Sequence, residues 1–291
     1  MSAGSAPSRS RLLDGQEVAR GVHAEIRDEL RTRWGSGRRP GLAIVVLTSD
    51  AASRRYAERK VKACAELGMA CTLHDLAGYP PDLAVIGRRI ADIAADPAVH
   101  GVMVEQPLPP TIDSVQLYAF IPPEKDVEGI SCANMGRLLL GQPHLVACTA
   151  AAVMRILEHY KIAVAGKRAV VVGRSHIVGK PLALLLLARD ATVVVCHSAT
   201  PDLVAETARA DVLVAAAGRP RLIGASHVRE GAVVVDVGTN FENGRMLGDV
   251  DFDEVSPRAA AITPVPGGVG PVTTALLLSN LLVAARRQQQ G

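Results

Sequence analysis

Between Ala169 and Leu187 the chain reads AVVVGRSHIVGKPLALLLL: an unbroken apolar run, a glycine, a short polar interval, a second glycine and a longer apolar stretch. A β-branched run of this kind suits a strand covered on both faces, as in a parallel sheet flanked by helices. Gly173 then ends the strand and permits a sharp turn. Gly179 lies early in the helix predicted over 177–188, where it permits close packing. Strand, glycine turn and helix in that order aim a helix N-terminus, with its unpaired N–H groups, at a phosphate. The order of the pieces points to the α/β class.

The rest of the chain keeps the same rhythm. Residues 14–34, 52–67 and 82–95 are predicted helical and alternate with strands at 42–47, 70–76 and 99–105. This βαβαβ series implies a parallel sheet with right-handed crossovers. The strands pause after IPPEKDVEGI. A second series starts past Cys148, with a helix over 150–160 and strands at 168–173, 192–197, 211–218 and 232–238. Helices at 177–188 and 202–208 fall between these strands, and a last helix, about 271–287, follows the turn TPVPGGVGP. With 291 residues, 48% of them hydrophobic, the chain is long enough for two domains. The expected fold is α/β in two domains with a ligand cleft between them. Residues 1–148 form an N-terminal α/β domain, joined by the returning C-terminal helix at about 272–291, and residues 149–271 form a nucleotide-binding domain.

Charge and cysteine usage narrow the partners. A net charge of +3 is too small to argue for nucleic acid or an anionic membrane. No apolar run approaches the ~20 uninterrupted residues that a spanning helix needs. The five cysteines (Cys64, Cys71, Cys132, Cys148, Cys196) are scattered and form no C-x-x-C pair. They read as reduced thiols of a cytosolic protein, not as a disulfide frame or a metal site. The opening MSAGSAPSRSR lacks the apolar core of a secretory signal and is expected to be a disordered tail. Its Ser/Arg bias and lack of acids keep a transit peptide as the alternative.

The second strand of the nucleotide-binding unit discriminates between the two nicotinamide cofactors. NAD sites usually end that strand with Asp or Glu, which accepts from the ribose 2′-hydroxyl. Here it ends in Cys196-His197-Ser198, with no carboxylate to repel a 2′-phosphate. Arg174 and Ser175 are placed to bind that phosphate as cation and donor. NADP is therefore the expected cofactor; the other reading is an ordinary βα turn whose Arg faces solvent.

Two long motifs carry a family resemblance. VVVGRSHIVGKPLALLL, followed by ITPVPGGVGPVTTALLL (Ile262–Leu278), resembles the two signatures of the methylenetetrahydrofolate dehydrogenase/methenyltetrahydrofolate cyclohydrolase (FolD) family. SRRYAERKVKAC (Ser53–Cys64) resembles the family's S-x-x-Y-V-x-x-K-x-K-A-C, EKDVEGI its K-D-V-D-G-F, and Cys148-Thr149 its P-C-T-P. The similarity runs in the family's order from about Leu13 to Leu282. It implies a folate domain followed by a Rossmann domain, a homodimer, and a small-molecule folate substrate. The implied activity is oxidation of 5,10-methylenetetrahydrofolate by NADP+ and hydrolysis of the methenyl product to 10-formyltetrahydrofolate.

The resemblance also assigns roles. Tyr56 and Lys60 are four apart on a predicted helix and share a face, a pattern that alone reads as a solvated surface. The resemblance makes Lys60 the residue that handles protons during hydrolysis, and Tyr56 the one that stacks on or orients the folate. Pro266, Gly267 and Gly268 would let backbone approach the ligands. The cofactor set would be Gly173, Arg174, Ser175, Val178 and Gly179 in the turn, with His197, Ser198 and Thr239. Alternatively, the glycine-rich turn is a rigid surface bend before a helix.

The departures concentrate in the folate half. The family's V-Q-L-P-L-P is VEQPLP here, so Glu105 stands at the position of the Gln that supports the lysine, and Gln106 follows it. A one-residue slip would let Gln106 substitute, but neighbouring strand residues face opposite sides of the sheet. Glu128 replaces the Asp that grips the pterin, keeping the carboxylate and adding a methylene. Smaller changes are LTSDAAS at 47–53, Ala147 and Ala150 for the prolines flanking Cys-Thr, and Thr239 for Ile. A carboxylate beside Lys60 favours the ammonium form, which weakens proton acceptance and supports the cationic methenyl product. Alternatively, Glu105 turns to solvent and changes little. Three other readings stay open: a dehydrogenase-only paralogue, an oxidoreductase for a different pterin or one-carbon carrier, and a non-catalytic cofactor-binding regulator.

Overall fold

The computed structural model describes residues 10–35, 37 and 39–289. The expected disordered tail therefore lies outside the described residues up to residue 9, whereas Arg11 belongs to strand β1 (Arg11–Leu12). The chain forms two compact units. Of the described residues, one unit holds those from Ser10 to Arg20 together with Thr149–Thr273, and the other holds those within Gly21–Cys148 and from Thr274 to Gln289. Residues 10–20 thus group with the nucleotide-binding unit, not with residues 21–148 as the sequence boundary assumed. The reason is non-local: β1 pairs in parallel with β11 (Ala261–Ile262), Arg11 opposite Ala261. Helix α1 (Gly15–Glu29) carries the chain out of that unit and ends in a π-helical turn, Leu30–Trp34.

The unit containing Gly21–Cys148 is built on β2 (Gly41–Val46), α2 (Ala51–Glu66), β3 (Ala70–Asp75), α3 (Leu83–Ala95) and β4 (Gly101–Val104). The sheet order is β3-β2-β4, all parallel. The central strand β2 is buried at every position, which is why it reads as an uninterrupted apolar run. Helices α2 and α3 both pack on it. Aspartates start these helices: Asp50 accepts from Ser53 N–H and Asp82 from Val85 N–H. Two short helices not anticipated from the sequence follow, α4 (Ser114–Tyr118) and α5 (Cys132–Leu139), capped by Asp113 and Ser131.

The other unit runs through α6 (Cys148–His159), β5 (Arg168–Val172), α7 (Gly179–Leu187), β6 (Thr192–Cys196), α8 (Leu203–Thr207), β7 (Val212–Ala215) and β8 (Val233–Asp236). A hairpin, β9 (Asn240–Glu242) with β10 (Arg245–Leu247), and helix α9 (Phe252–Val255) precede β11. The main sheet is ordered β1-β11-β8-β7-β5-β6, and every pairing in it is parallel. Its apolar core includes Val170, Val172, Leu213, Ala215, Val234 and Ile262. Strand order reverses at β5, which has β6 on one side and β7 on the other, so a ligand crevice is expected at the carboxyl ends of β5 and β7.

Helix α10 (Val269–Gln288) closes the chain. By length and composition it is apolar enough to cross a membrane, which departs from the expectation of no such segment. Leu277, Leu278, Leu281 and Leu282 are nevertheless buried within the fold. The Asn280 amide donates to Val127 O (2.9 Å) and Val146 O (3.0 Å), and Gln288 to His100 O (2.8 Å). These contacts mark α10 as a core helix.

Candidate active site

Helix α2 carries Tyr56 and Lys60 one turn apart, and both are partly buried. The Lys60 ammonium donates to both carboxylate oxygens of Glu105, at 3.0 Å (Oε1) and 2.7 Å (Oε2). The two side chains are only 16% and 9% exposed. Glu105 therefore faces Lys60 and does not turn to solvent. Its backbone sets this direction: Glu105 N–H donates to Val45 O (2.8 Å), continuing the ladder one residue past β4. Lys60 Nζ lies 6.0 Å from the centre of the Tyr56 ring, and the Arg59 guanidinium carbon lies 5.4 Å from it. Lys62, two positions on, is exposed beside Glu66.

Gln106 does not take over the role of the family's glutamine. It is exposed, while Glu105 is buried, so no one-residue slip occurs. What Gln106 offers is backbone: its carbonyl accepts from Ser53 Oγ (3.1 Å), tying the segment after β4 to the start of α2.

Glu128 enters the same cluster from the loop after α4. That loop is braced by Asp126, which is fully buried and accepts from Gly129 N–H (3.0 Å), Ser131 N–H (2.8 Å) and the Asn134 amide (2.9 Å). Glu128 Oε2 accepts from Val104 N–H (3.1 Å) and from the Tyr118 hydroxyl. Burial pushes the Glu128 carboxyl up to about 7; the Val104 N–H bond and Lys60 pull it down, and Glu105 adds to the rise. Next to it, the buried Cys148 thiol donates to Val127 O (3.2 Å) and is held protonated, chiefly by burial and then by the charges of Glu128 and Asp126. One cation and two carboxylates thus share a largely desolvated cluster with an aromatic ring at its edge. Such a cluster can hold, move or withhold a proton and can favour a cationic ligand.

In the other unit, Gly173 follows β5 with φ of 131°, and a Cβ there would collide with Ala216 O just past β7. A Cβ on Gly179 would likewise strike the Gly173 carbonyl. Only glycines allow this close strand–turn–helix junction. Ser175 Oγ accepts from Val178 N–H (3.1 Å) and its carbonyl from Lys180 N–H (3.0 Å), which orders the turn into α7. Arg174 and Ser175 are exposed, as is Ser198. His197 Nδ1 accepts from Ala199 N–H (3.2 Å), so a neutral ring carries its proton on Nε2. The cradle, the exposed Arg and Ser, and the acid-free end of β6 fit a phosphorylated dinucleotide. Thr239 is exposed beyond β8. Pro266, Gly267 and Gly268 belong to this same unit, where Gly267 O accepts from Gly15 N–H (2.9 Å) at the start of α1.

Comparison with known proteins finds two family models on the chain. A family model for the tetrahydrofolate dehydrogenase/cyclohydrolase catalytic domain matches residues 13–128, and one for the NAD(P)-binding domain of the same enzymes matches residues 147–289. The bifunctional protein FolD of Parafrankia sp. is 50% identical over 275 residues, covering 94% of this chain and 99% of that protein. The chain belongs to the tetrahydrofolate dehydrogenase/cyclohydrolase family. Solved relatives agree in fold. The Campylobacter jejuni bifunctional FolD superposes with a TM-score of 0.92 at 39% identity, covering 96% of this chain and 99% of that one. The Trypanosoma brucei FolD, solved with NADP and an inhibitor, gives 0.91 at 39% identity, with 98% and 100% covered.

Sequence reasoning passed over several residues that organise these family sites. Tyr118 and Asp126 hold Glu128 and its loop. Asp249, fully buried, accepts from Ala217, Gly218 and Arg219 N–H at 2.6, 2.9 and 2.9 Å and so closes the loop after β7. Asp236 accepts from Gly238 (2.8 Å), Asp249 (3.0 Å) and Val250 (2.9 Å) N–H. Burial raises the Asp236 carboxyl to about 6 against those three donors. The signal available was slight: an Asp ending a strand, and a Gly-Asp pair thirteen residues later.

Proposed function

We propose that this protein oxidises 5,10-methylenetetrahydrofolate to the 5,10-methenyl cation with NADP+ and hydrolyses that cation to 10-formyltetrahydrofolate. The observation that carries the reading is the Lys60–Glu105–Glu128 cluster, set within the part of the chain that matches the family's catalytic domain. Bound NADP+ supplies the hydride acceptor, and the preference for its 2′-phosphate rests on Arg174, Ser175 and the acid-free strand end. The folate is held by the protein's own groups. Glu128 accepts the adjacent N–H donors of the pterin ring, and Tyr56 presents its ring face to the planar parts of the substrate. Hydride loss requires no protein base; it requires orientation and support for the positive charge that results, which Glu105 and Glu128 provide. Hydrolysis requires proton handling, the task of Lys60.

One observation favours a second emphasis within this reading. The bidentate contact of Glu105 with Lys60 occupies the ammonium, so hydrolysis is slow relative to oxidation and methenyltetrahydrofolate accumulates. The deciding experiment supplies purified protein with methylenetetrahydrofolate and either NADP+ or NAD+. NADPH, methenyl absorbance and 10-formyl product are then followed separately. Turnover with NADP+ and transient methenyl build-up are expected; no oxidation with either cofactor would refute the proposal.

The protein is further proposed to act in the cytoplasm as a homodimer, without nucleic-acid or membrane partners. A mass near 30.5 kDa by light scattering would contradict the dimer. Recovery in an organelle or membrane fraction would contradict the location.

A further inference from the structure

Tyr118 ends the five-residue helix α4, which Asp113 starts and which packs on α3. Its side chain is 1% exposed, the largest of the fully buried ones. A phenol in that position needs a partner for its hydroxyl. Here the proton goes to Glu128 Oε2. Val104 N–H, at the end of β4, reaches the same carboxylate oxygen (3.1 Å) and approaches the Tyr118 hydroxyl oxygen as well (3.4 Å). Groups from the end of a strand and the end of a helix therefore converge on one oxygen of one loop carboxylate. Both donors use Oε2, which leaves Oε1 to accept from a ligand.

We infer that Tyr118 is a positioning residue of the folate site: its hydroxyl fixes the orientation of the Glu128 carboxylate and holds it in the ionised form that accepts the pterin N–H donors. This rests on the folate reading proposed above. A carboxylate one methylene longer than Asp has an extra rotor to restrain, and the phenol supplies that restraint from a rigid, buried ring.

The charge state of Glu128 answers to every group packed against it. From α2, Lys60 favours the ionised form; from the end of β4, Glu105 opposes it and Val104 N–H supports it. At the start of α6, the Cys148 thiol stays neutral, and Asp126, two residues earlier in the loop, faces its own three donors. The Tyr118 hydroxyl adds a donor to the charged form. Its removal therefore moves the Glu128 midpoint, now about 7, upward. Loss of one hydrogen bond to a charged group is worth about one to two pH units.

The test is Tyr118→Phe, which removes the hydroxyl and keeps the buried ring. Its first readout needs no substrate: the carboxyl carbon of 13C-labelled Glu128, assigned by its absence in Glu128→Gln, is titrated in both proteins. An upward shift of about one unit is expected, which cuts the ionised fraction at pH 7 from about a half to about a tenth. The second readout is kinetic. The KM for methylenetetrahydrofolate should rise about fivefold at pH 7 and converge with the parent near pH 9, with kcat little changed. That pH dependence should disappear when Tyr118→Phe is placed in the Glu128→Gln background. A KM raised equally at all pH values, or an unmoved Glu128 titration, would overturn the inference. If the parent protein fails to turn over the folate, the functional reading falls, while a shifted titration still supports Tyr118 as the group that holds Glu128 ionised.

Discussion

Replacing Glu105 by Gln tests the chemistry most directly, because it changes one charge and almost no volume. Lys60 Nζ sits 2.7 and 3.0 Å from the two Glu105 oxygens, with both side chains mostly shielded from water. At an effective dielectric near 20, opposite unit charges at this separation attract by about 6 kcal/mol before desolvation is counted. Gln keeps one acceptor for the ammonium and removes that attraction. If only about a quarter of it survives solvent screening, the change is ~1.4 kcal/mol, or a factor near ten in rate. Hydrolysis of supplied methenyltetrahydrofolate should therefore speed up about tenfold. Hydride transfer, followed as NADPH from methylenetetrahydrofolate, should stay constant or slow, because a negative charge beside the forming cation is lost. A general loosening of the site would lower both rates together. Parallel decline, or two unaltered rates, would refute the reasoning.

Three further outcomes are expected. Arg174→Ala should raise the KM for NADP+ far more than for NAD+, since only the contact with the 2′-phosphate is removed; equal effects on the two cofactors would assign the arginine to solvent. Lys60→Met should abolish methenyl hydrolysis while leaving part of the oxidation, and it should cost stability because Glu105 is left buried and unpaired; adding Glu105→Gln should restore the thermal midpoint. Glu128→Gln should stabilise the protein at alkaline pH only. The folded-state midpoint near 7 lies above the ordinary 4.5, so the folded protein binds the extra proton between those values and loses stability as pH rises through them. Urea denaturation should show a gain of up to ~3 kcal/mol at pH 8 and almost none at pH 4; a gain of equal size at both would exclude ionisation as its cause.

What could be read from the sequence followed from how local its causes are. Strand β2 was legible because a central parallel strand with helices packed on it must be apolar at every position. The glycine turn after β5 was legible because Gly173 and Gly179 stand six residues apart in one strand–turn–helix junction, where Gly179 packs against the Gly173 carbonyl. The atom that crowds Gly173 itself, Ala216 O, lies at the end of a neighbouring strand. Strand β1 was not, since Arg11 and Leu12 are both exposed and are a strand only because β11, some 250 residues on, lies beside them. Glu105 was identified by position, but its direction was open: the hydrogen bond from its own N–H to Val45 O decides which way the side chain points. Tyr118 left no trace at all. A single aromatic residue in a five-residue helix has no periodicity to read, and its partner is supplied by a loop ten residues later.

The two glutamates of the cluster are not interchangeable, although both replace residues of the family motif. Where the motif has Gln and Asp, one carboxylate faces one lysine and the set can be neutral. With Glu105 and Glu128 there are two carboxylates for one ammonium, and the structure divides them unequally. Glu105 takes both of its contacts from Lys60. Glu128 is left with the Val104 N–H and the Tyr118 hydroxyl, and burial keeps its proton until about pH 7. Below that pH the cluster carries no net charge; above it, the cluster carries one excess negative charge. The methenyl product of the proposed oxidation is a cation, so ionised Glu128 holds it more firmly just where Glu105 keeps Lys60 from assisting its hydrolysis. The two substitutions therefore act in the same direction by different routes, one by engaging the proton acceptor and the other by retaining its substrate. Removing Glu105 relieves only the first effect, since the loss of its charge leaves Glu128 more ionised; removing Glu128 relieves only the second.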